Sequence, residues 1–259
     1  MSVKLRGCEE ELHQIRAALE LPRRAALAIV ITGAEGAGKT NLLRETASAA
    51  TNLGYEVAAL IQGTDWSRPV GLAGRDRLHQ ELFDALDAVP PGTPIMIGVD
   101  DADRADPGRL ARMRESVRRL YGANVVWALT ASPGARGVPT SWFCHQDQEY
   151  VTSIQLSGLT EEAVREMVGD LLGAPPCNQL AAFAAQTGGN PQLVNELVTG
   201  LRDEGQLRLT DDEAQLLSDR IPLRLDILVR NRLSRLSVRY RQMLQVTAVL
   251  GRTVCPSAS

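Results

Sequence analysis

The sequence is poor in aromatic residues and in cysteine, and it has no long apolar run. Aromatic side chains make up 4% of its 259 residues, and its four cysteines, Cys8, Cys144, Cys177 and Cys255, show no CxxC spacing. This pattern argues against a disulfide framework and against a zinc site. No apolar run approaches the roughly 20 residues that span a bilayer, and the N-terminus lacks the apolar core of a signal peptide. We therefore expect a cytoplasmic protein without a membrane partner.

Lysine is also scarce, because Lys4 and Lys39 are the only lysines among 28 basic residues. Lys39 lies in the segment Gly33-Ala-Glu-Gly-Ala-Gly-Lys-Thr40, which fits the GxxxxGK[ST] pattern of a phosphate-binding loop. An apolar, β-branched run precedes this segment and a helical pattern follows it, which is the context that the motif requires. The residues predicted to bind a nucleotide here are Gly33, Ala34, Glu35, Gly36, Ala37, Gly38, Lys39, Thr40 and Asn41.

The chemistry of phosphate binding explains each residue type in this loop. Glycines let the backbone curl so that successive N–H groups point at phosphate oxygens, and the helix that begins near Gly38 adds its positive end. Lys39 is predicted to reach the β- and γ-phosphates and to act in catalysis, and the Thr40 hydroxyl is predicted to bind Mg²⁺. No Asn-Lys-x-Asp guanine signature is found. The expected ligands are therefore ATP or ADP with Mg²⁺.

Acidic residues follow a later apolar strand, Ile95–Val99. If this strand runs parallel to the first, Asp100 lies beside the phosphate loop and is predicted to bind the metal ion. Asp101 is predicted to orient an attacking water. The alternative is a solvated strand end with polar residues. Thr130 ends the next strand and is a candidate contact to the γ-phosphate, with a simple strand-end hydroxyl as its alternative.

Strand and helix patterns alternate through the first part of the chain and predict an α/β fold with a doubly wound parallel sheet. After residue 156 we expect helices only, and we divide the chain into an α/β domain (1–156), a helical subdomain (157–222) and a C-terminal helical region (223–259). The predicted strands are Ala26–Thr32, Tyr55–Ile61, Pro94–Val99, Asn124–Thr130 and Tyr150–Leu156, and the predicted helices are Glu9–Leu21, Asn41–Thr51, Leu78–Ala88, Pro107–Tyr121, one capped by Thr160, Cys177–Gln186, Pro191–Glu204, Leu223–Leu236 and Val238–Leu250.

With these motifs in place, the chain resembles the STAND branch of AAA-like ATPases, and within it the nucleotide-binding region of large LuxR-type transcriptional regulators. The phosphate loop, the acidic stretch Asp100–Asp106, the N-terminal segment Leu5–Leu12 and the segment Thr187-Gly-Gly-Asn-Pro191 carry the resemblance. It implies a P-loop NTPase fold and places Arg6 near the adenine. The family has an arginine where this chain has Cys8.

The Gly-Asn-Pro segment has a specific role in that family, since its proline is expected to lie against the nucleotide base. The resemblance therefore implies a base contact for Pro191. From the residues alone, the segment is a helix C-cap glycine followed by a proline-initiated helix, and the two roles are compatible. A second departure follows the fourth strand, where Ser132 replaces the arginine that many relatives carry.

The C-terminal segment Asp226–Gly251 resembles the start of a winged-helix domain. Its arginines could form a DNA-binding face, although arginines on the solvent face of amphipathic helices are the more ordinary interpretation. The net charge of −3 gives no global footprint for nucleic acid. We expect the chain to be part of a longer regulator that contacts DNA only through a region absent from this sequence, and the resemblance allows self-association through the ATPase domain.

The leading functional hypothesis is an ATP-binding regulatory switch with slow hydrolysis of ATP to ADP and phosphate. A nucleotide-binding scaffold without hydrolysis is the alternative, which Cys8 and Ser132 motivate. A P-loop small-molecule kinase is a third hypothesis, because it shares the phosphate loop. The paired Asp100 and Asp101 and the helical part after residue 157 argue against a kinase.

Overall fold

The structure is a computed structural model, and it describes residues 6–20, 27–61, 90, 92–104, 108, 111, 115, 124–134, 151–210 and 212–250. The predicted helix Leu78–Ala88 lies outside the described residues. So does the predicted helix Pro107–Tyr121, apart from Gly108, Ala111 and Glu115, which are helical. The chain divides into two compact units, of which the first comprises residues 1–163 and 190–192, and the second comprises residues 164–189 and 193–259.

The first unit is built on a parallel sheet of five strands in the order β2-β3-β4-β1-β5. The fold class predicted from the sequence, an α/β fold with a parallel sheet followed by a helical subdomain, is confirmed. Each predicted strand in this sheet is found, with ends that differ from the prediction by at most one residue. The elements in chain order are α1 (Glu9–Glu20), β1 (Leu27–Gly33), α2 (Lys39–Asn52), β2 (Glu56–Ile61), β3 (Ile95–Val99), a 3-10 turn (Ala102–Arg104), β4 (Val125–Ala131) and β5 (Val151–Leu156).

Burial explains why the three central strands, β1, β3 and β4, are predominantly apolar, whereas the edge strand β5 carries polar residues. Every residue of β4 is buried, as expected for a central strand that is covered on both faces. One face packs against α1 and α2 through a core cluster that includes Ile15, Leu42 and Ile29. Each such side chain contributes about 1.5–3 kcal/mol on burial. This packing fixes the C-terminal ends of β1, β3 and β4 at one edge, where the functional residues lie.

The chain after residue 156 contains the helices predicted there and one feature that the sequence did not indicate. We expected helices only after residue 156, and this was wrong at a short antiparallel hairpin, in which Leu207 pairs with Leu216 and Leu209 with Ala214. Strands of three residues are too short to show a period-two pattern. The elements are α3 (Glu161–Leu172), α4 (Asn178–Ala185), α5 (Pro191–Asp203), β6 (Leu207–Leu209), β7 (Ala214–Leu216), α6 (Leu223–Ser234) and α7 (Val238–Leu250).

Two smaller expectations about helix ends are confirmed. The Thr160 hydroxyl accepts a hydrogen bond from the Ala163 N–H at 3.2 Å, so Thr160 caps α3. Gly188 has a φ of +66° after α4, and Pro191 is the first residue of α5. The winged-helix assignment of the C-terminal segment stays a prediction. Among the described helices, none is both long and apolar enough to cross a membrane.

Two helical glycines in the second unit predict opposite effects of the same substitution. A Cβ on Gly200 would lie 2.4 Å from the Pro222 Cβ, whereas a Cβ on Gly169 would meet nothing closer than 3.8 Å. Gly200→Ala should therefore lower the free energy of unfolding by about 1–3 kcal/mol through overpacking. Gly169→Ala should raise it by roughly 1 kcal/mol through helix propensity. Urea denaturation measures the free energy of unfolding of both variants. A change of the same sign in the two variants would contradict the packing around these glycines.

Candidate functional site

The phosphate loop joins the end of β1 to the start of α2 and depends on backbone that only glycine adopts readily. Gly36 and Gly38 have φ angles of +81° and +98°, in the left-handed region. Gly33 is needed for space, since a Cβ there would lie 3.0 Å from the Leu156 Cβ on the neighbouring strand. The spacing of glycines in the motif therefore matches separate steric demands of the loop.

Lys39 is a buried cation held by the loop itself, with 8% of its surface exposed. Its Nζ donates hydrogen bonds to the carbonyl oxygens of Gly33 at 2.9 Å and Ala34 at 3.1 Å. A buried ammonium group needs such partners because desolvation of an unpaired charge is costly. The lysine thus lies with its charge at the loop carbonyls, and its N–H donors are able to transfer to an anion placed in the loop.

A buried carboxylate connects three segments at this edge of the sheet. Asp100 is 4% exposed, and its Oδ2 accepts a hydrogen bond from the Thr40 hydroxyl at 2.7 Å. Its Oδ1 accepts another from the Thr130 hydroxyl at 2.5 Å. Thr40 lies in the first turn of α2, while Thr130 lies near the end of β4. The parallel arrangement of β3 therefore brings Asp100 beside the phosphate loop, as the sequence predicted.

Asp101 occupies a left-handed turn immediately after the buried carboxylate. Its φ is +48°, and its backbone N–H donates to the Thr130 hydroxyl at 2.7 Å. Its side chain forms an ion pair with Arg104 at 3.4 Å. Burial raises the pKa of Asp101, and the nearby Asp100 raises it further, while Arg104 and Lys39 lower it. The Thr130 hydroxyl thus forms hydrogen bonds with both acidic residues. Its contact to a γ-phosphate stays a prediction.

The oxygen atoms of Thr40 and Asp100 fit a Mg²⁺ ion. Octahedral ligands at about 2.1 Å from Mg²⁺ lie roughly 3 Å from each other, and Mg²⁺ prefers oxygen donors. The Thr40 Oγ1 and Asp100 Oδ2 atoms are 2.7 Å apart, so small movements bring them to that spacing. The assignment of both residues to a metal ion stays a prediction that this geometry supports.

The N-terminal motif lies beside the segment that follows the end of β5. Gly7 has a φ of +67°, and a Cβ there would lie 2.9 Å from the Leu159 Cδ2 atom. The Cys8 carbonyl accepts from the Leu12 N–H at 3.0 Å, and burial, followed by nearby glutamates, raises the pKa of the Cys8 thiol to about 12. Arg6 is partly buried just before this turn, and its role near adenine stays a prediction.

Two contacts to the phosphate loop were missed by sequence reasoning. The side-chain amide of Asn190 donates to the Glu35 carbonyl at 2.9 Å, and the Gln192 backbone N–H donates to the Gly36 carbonyl at 3.2 Å. These residues flank Pro191, which alone was singled out. The Asn-Pro pair was visible in the sequence, but nothing in it indicated a partner 155 residues away. Asn41, in contrast, is exposed and accepts from Arg44 at 3.0 Å.

No family model matches the sequence, and no curated protein matches it. Solved structures do share its fold. Domain III of the Thermotoga maritima replication initiation protein DnaA has a TM-score of 0.55 and 15% identity, over 81% of this chain and 90% of that one. The FIGL-1 AAA domain in complex with ADP has a TM-score of 0.52 and 15% identity, over 94% of this chain and 87% of that one. The Aeropyrum pernix ORC1 protein in complex with DNA has a TM-score of 0.54 and 15% identity, over 98% of this chain and 75% of that one. Similarity at this identity shows a shared fold.

The hydrogen bonds around Asp100 predict different losses of stability for the same substitution at two buried threonines. Thr130→Val removes a hydroxyl that donates to Asp100 and accepts from the Asp101 N–H, so it should lower the free energy of unfolding by about 1–3 kcal/mol. Thr46 is equally buried, but its hydroxyl donates only to the Leu42 carbonyl of its own helix. Thr46→Val should therefore change stability little. Urea denaturation measures the free energy of unfolding of both variants. Equal losses would show that the hydrogen bonds of the Thr130 hydroxyl do not stabilise the protein.

Proposed function

We propose that this chain binds ATP with Mg²⁺ and acts as the nucleotide-dependent switch module of a regulatory protein. One observation carries the proposal. The phosphate loop, with the buried Lys39, lies next to the hydrogen-bonded pair formed by Thr40 and Asp100 at 2.7 Å. A loop that binds phosphates and an adjacent pair of oxygen ligands for a metal ion together match the needs of a nucleoside triphosphate with Mg²⁺. The shared fold with the FIGL-1 AAA domain, which was solved with ADP, supports it.

The loop's groups divide the recognition of the triphosphate between them. The backbone N–H groups of the loop and the start of α2 bind phosphate oxygens, while the Lys39 ammonium moves from the Gly33 and Ala34 carbonyls to the β- and γ-phosphates. Thr40 and Asp100 would hold Mg²⁺, which neutralises phosphate charge when bound. Arg6 and Pro191 are proposed to contact the adenine, as the resemblance implies.

Hydrolysis, on this proposal, is an in-line attack of water on the γ-phosphorus. The bond between the γ-phosphorus and the β–γ bridging oxygen breaks, and ADP leaves with that oxygen while phosphate takes the water's oxygen. Asp101 orients the water and accepts its proton, and Lys39 stabilises the charge on the transferring group. The raised pKa of Asp101 makes its carboxylate a better proton acceptor than an ordinary aspartate. We propose slow turnover, because this carboxylate is also paired with Arg104.

The regulatory part of the proposal follows from the resemblance to large LuxR-type regulators. A switch requires that ATP and ADP bind two conformations with unequal affinity. The protein would act in the cytoplasm, self-associate through the ATPase domain, and contact DNA through a region outside this sequence. The DNA-bound ORC1 protein shares the fold of this chain, which is consistent with such a setting.

A nucleotide-binding scaffold without hydrolysis is the second candidate. The ion pair between Asp101 and Arg104 at 3.4 Å favours it, since a carboxylate paired with an arginine is less available to orient water. The engagement of the Thr130 hydroxyl by Asp100 and by the Asp101 N–H favours it too, because that hydroxyl is then not directed at a γ-phosphate. The two candidates share nucleotide binding and differ only in turnover.

Replacing Lys39 tests nucleotide binding directly. Lys39→Ala removes the ammonium group that is proposed to bind the β- and γ-phosphates, so affinity for ATP in Mg²⁺ buffer should fall at least tenfold. Lys4→Ala is the matched control, because Lys4 is the only other lysine in the sequence, and its affinity should equal the wild-type value. Isothermal titration calorimetry gives the dissociation constants. If the wild-type protein binds neither ATP nor ADP and releases no nucleotide on denaturation, the proposed function is wrong.

Replacing Asp101 separates the two candidates. Asp101→Asn keeps the left-handed backbone, which asparagine tolerates, but removes the proton acceptor, so phosphate release should fall about 100-fold or more. Asp212→Asn makes the same change at an exposed residue between β6 and β7 and should retain the wild-type rate. The raised pKa of Asp101 also predicts that, as the pH is lowered, phosphate release by the wild type begins to slow at a higher pH than it would if this aspartate had an ordinary pKa. Equal rates for wild type and Asp101→Asn would exclude the ATPase and leave the scaffold.

A further inference from the structure

The carbonyl oxygens of two successive residues of the phosphate loop are held from outside the loop. Asn190 donates its side-chain amide N–H to the Glu35 carbonyl at 2.9 Å, and the Gln192 backbone N–H donates to the Gly36 carbonyl at 3.2 Å. Both donors belong to the same compact unit as the loop. The segment Asn190–Gln192 therefore contacts the loop on its carbonyl side.

A fixed carbonyl fixes the N–H group of the same peptide. In a trans peptide the C=O and N–H bonds lie in one plane and point in opposite directions. The Glu35 carbonyl shares its peptide with the Gly36 N–H, and the Gly36 carbonyl shares its peptide with the Ala37 N–H. When Asn190 holds the Glu35 carbonyl on one side, the Gly36 N–H must point to the opposite side, which is the side of the loop that we propose binds phosphate oxygens.

The loop needs such an anchor because glycine makes it easy to deform. Gly36 has a φ of +81°, and a glycine peptide can flip between conformations at little steric cost. Within the loop, the Ala37 N–H is held by the Ala34 carbonyl at 3.1 Å. That bond restrains the peptide after Gly36, and the contact from Asn190 restrains the peptide before it.

We propose that Asn190 is a positioning residue for phosphate binding, which orients the Gly36 N–H through the Glu35 carbonyl without touching the nucleotide itself. This inference rests on the proposed function and names a residue of that same site. It differs from a base contact, which the resemblance implies for the neighbouring Pro191. The distinction is testable, because a positioning residue for the loop affects the affinity for any polyphosphate, whereas a base contact affects only ligands that carry the base.

Replacing Asn190 should therefore weaken polyphosphate binding. Asn190→Ala and the near-isosteric Asn190→Leu both lack the amide donor, and each should lower affinity for ATP about threefold to tenfold. Asn124→Ala is the matched control, since Asn124 is exposed just before β4, at the opposite end of that strand from Thr130, and it should bind as the wild type does. Calorimetry with ATP in Mg²⁺ buffer gives the affinities, and competition with tripolyphosphate gives the affinity for a ligand without a base.

The possible outcomes separate this inference from the proposed function. Parallel losses for ATP and tripolyphosphate, with unchanged melting temperatures, support the positioning role. If the Asn190 variants bind both ligands within twofold of the wild type, the inference is wrong while the proposed function stands. If tripolyphosphate binding is unchanged and only ATP binding falls, the segment contacts the base and the inference is also wrong. If tripolyphosphate fails to compete even with the wild type, the loop does not bind a polyphosphate that lacks the base, and the inference is wrong. A wild-type protein that binds no nucleotide would refute both.

Discussion

The hydrogen bonds of the Asp100 carboxylate are the interaction on which the rest of the site depends. This side chain is 4% exposed, and it accepts from Thr40 on one oxygen and from Thr130 on the other. A buried carboxylate is stable only when both oxygens have donors. The need to satisfy this one charge therefore joins the start of α2 to the ends of β3 and β4. The same contacts set the Thr40 hydroxyl and the carboxylate at a spacing that suits a divalent cation.

Backbone geometry supplies the other half of the site, and it depends on residues that carry little chemistry of their own. Gly36 and Gly38 adopt left-handed conformations, and Gly33 leaves room for Leu156. These glycines allow the backbone conformation of the loop but do not restrain it. Restraint comes from hydrogen bonds to its carbonyl groups, including those from the Lys39 ammonium. The cation that is proposed to bind phosphate thus also stabilises the loop before phosphate arrives.

Local patterns in the sequence were sufficient to predict the sheet and the core of the site. Continuous apolar runs identified the central strands, because a central parallel strand such as β4 is buried on both faces. The Gly33–Thr40 motif and Asp100 could be paired because parallel strands end at one edge. The contacts of Asn190 and of Thr130 could not be predicted, since they depend on tertiary geometry between residues far apart in the chain. The β6–β7 hairpin was missed because three-residue strands carry no periodic signal.

The surroundings of Asp101 bear on turnover more than on binding. Its partner Arg104 is half exposed, and an exposed ion pair of this kind is worth at most about 1 kcal/mol. Such a pair lowers the population of free carboxylate by less than about tenfold, so it would slow the proposed hydrolysis without abolishing it. The left-handed backbone is the stronger constraint, because the Asp101 N–H is tied to Thr130 and sets the direction of the side chain. On the proposed function, Lys39 and Asp100 would bind the nucleotide and its metal ion at all times, whereas the Asp101 carboxylate would be free to orient water only part of the time, and this combination would suit a slow switch better than a rapid enzyme.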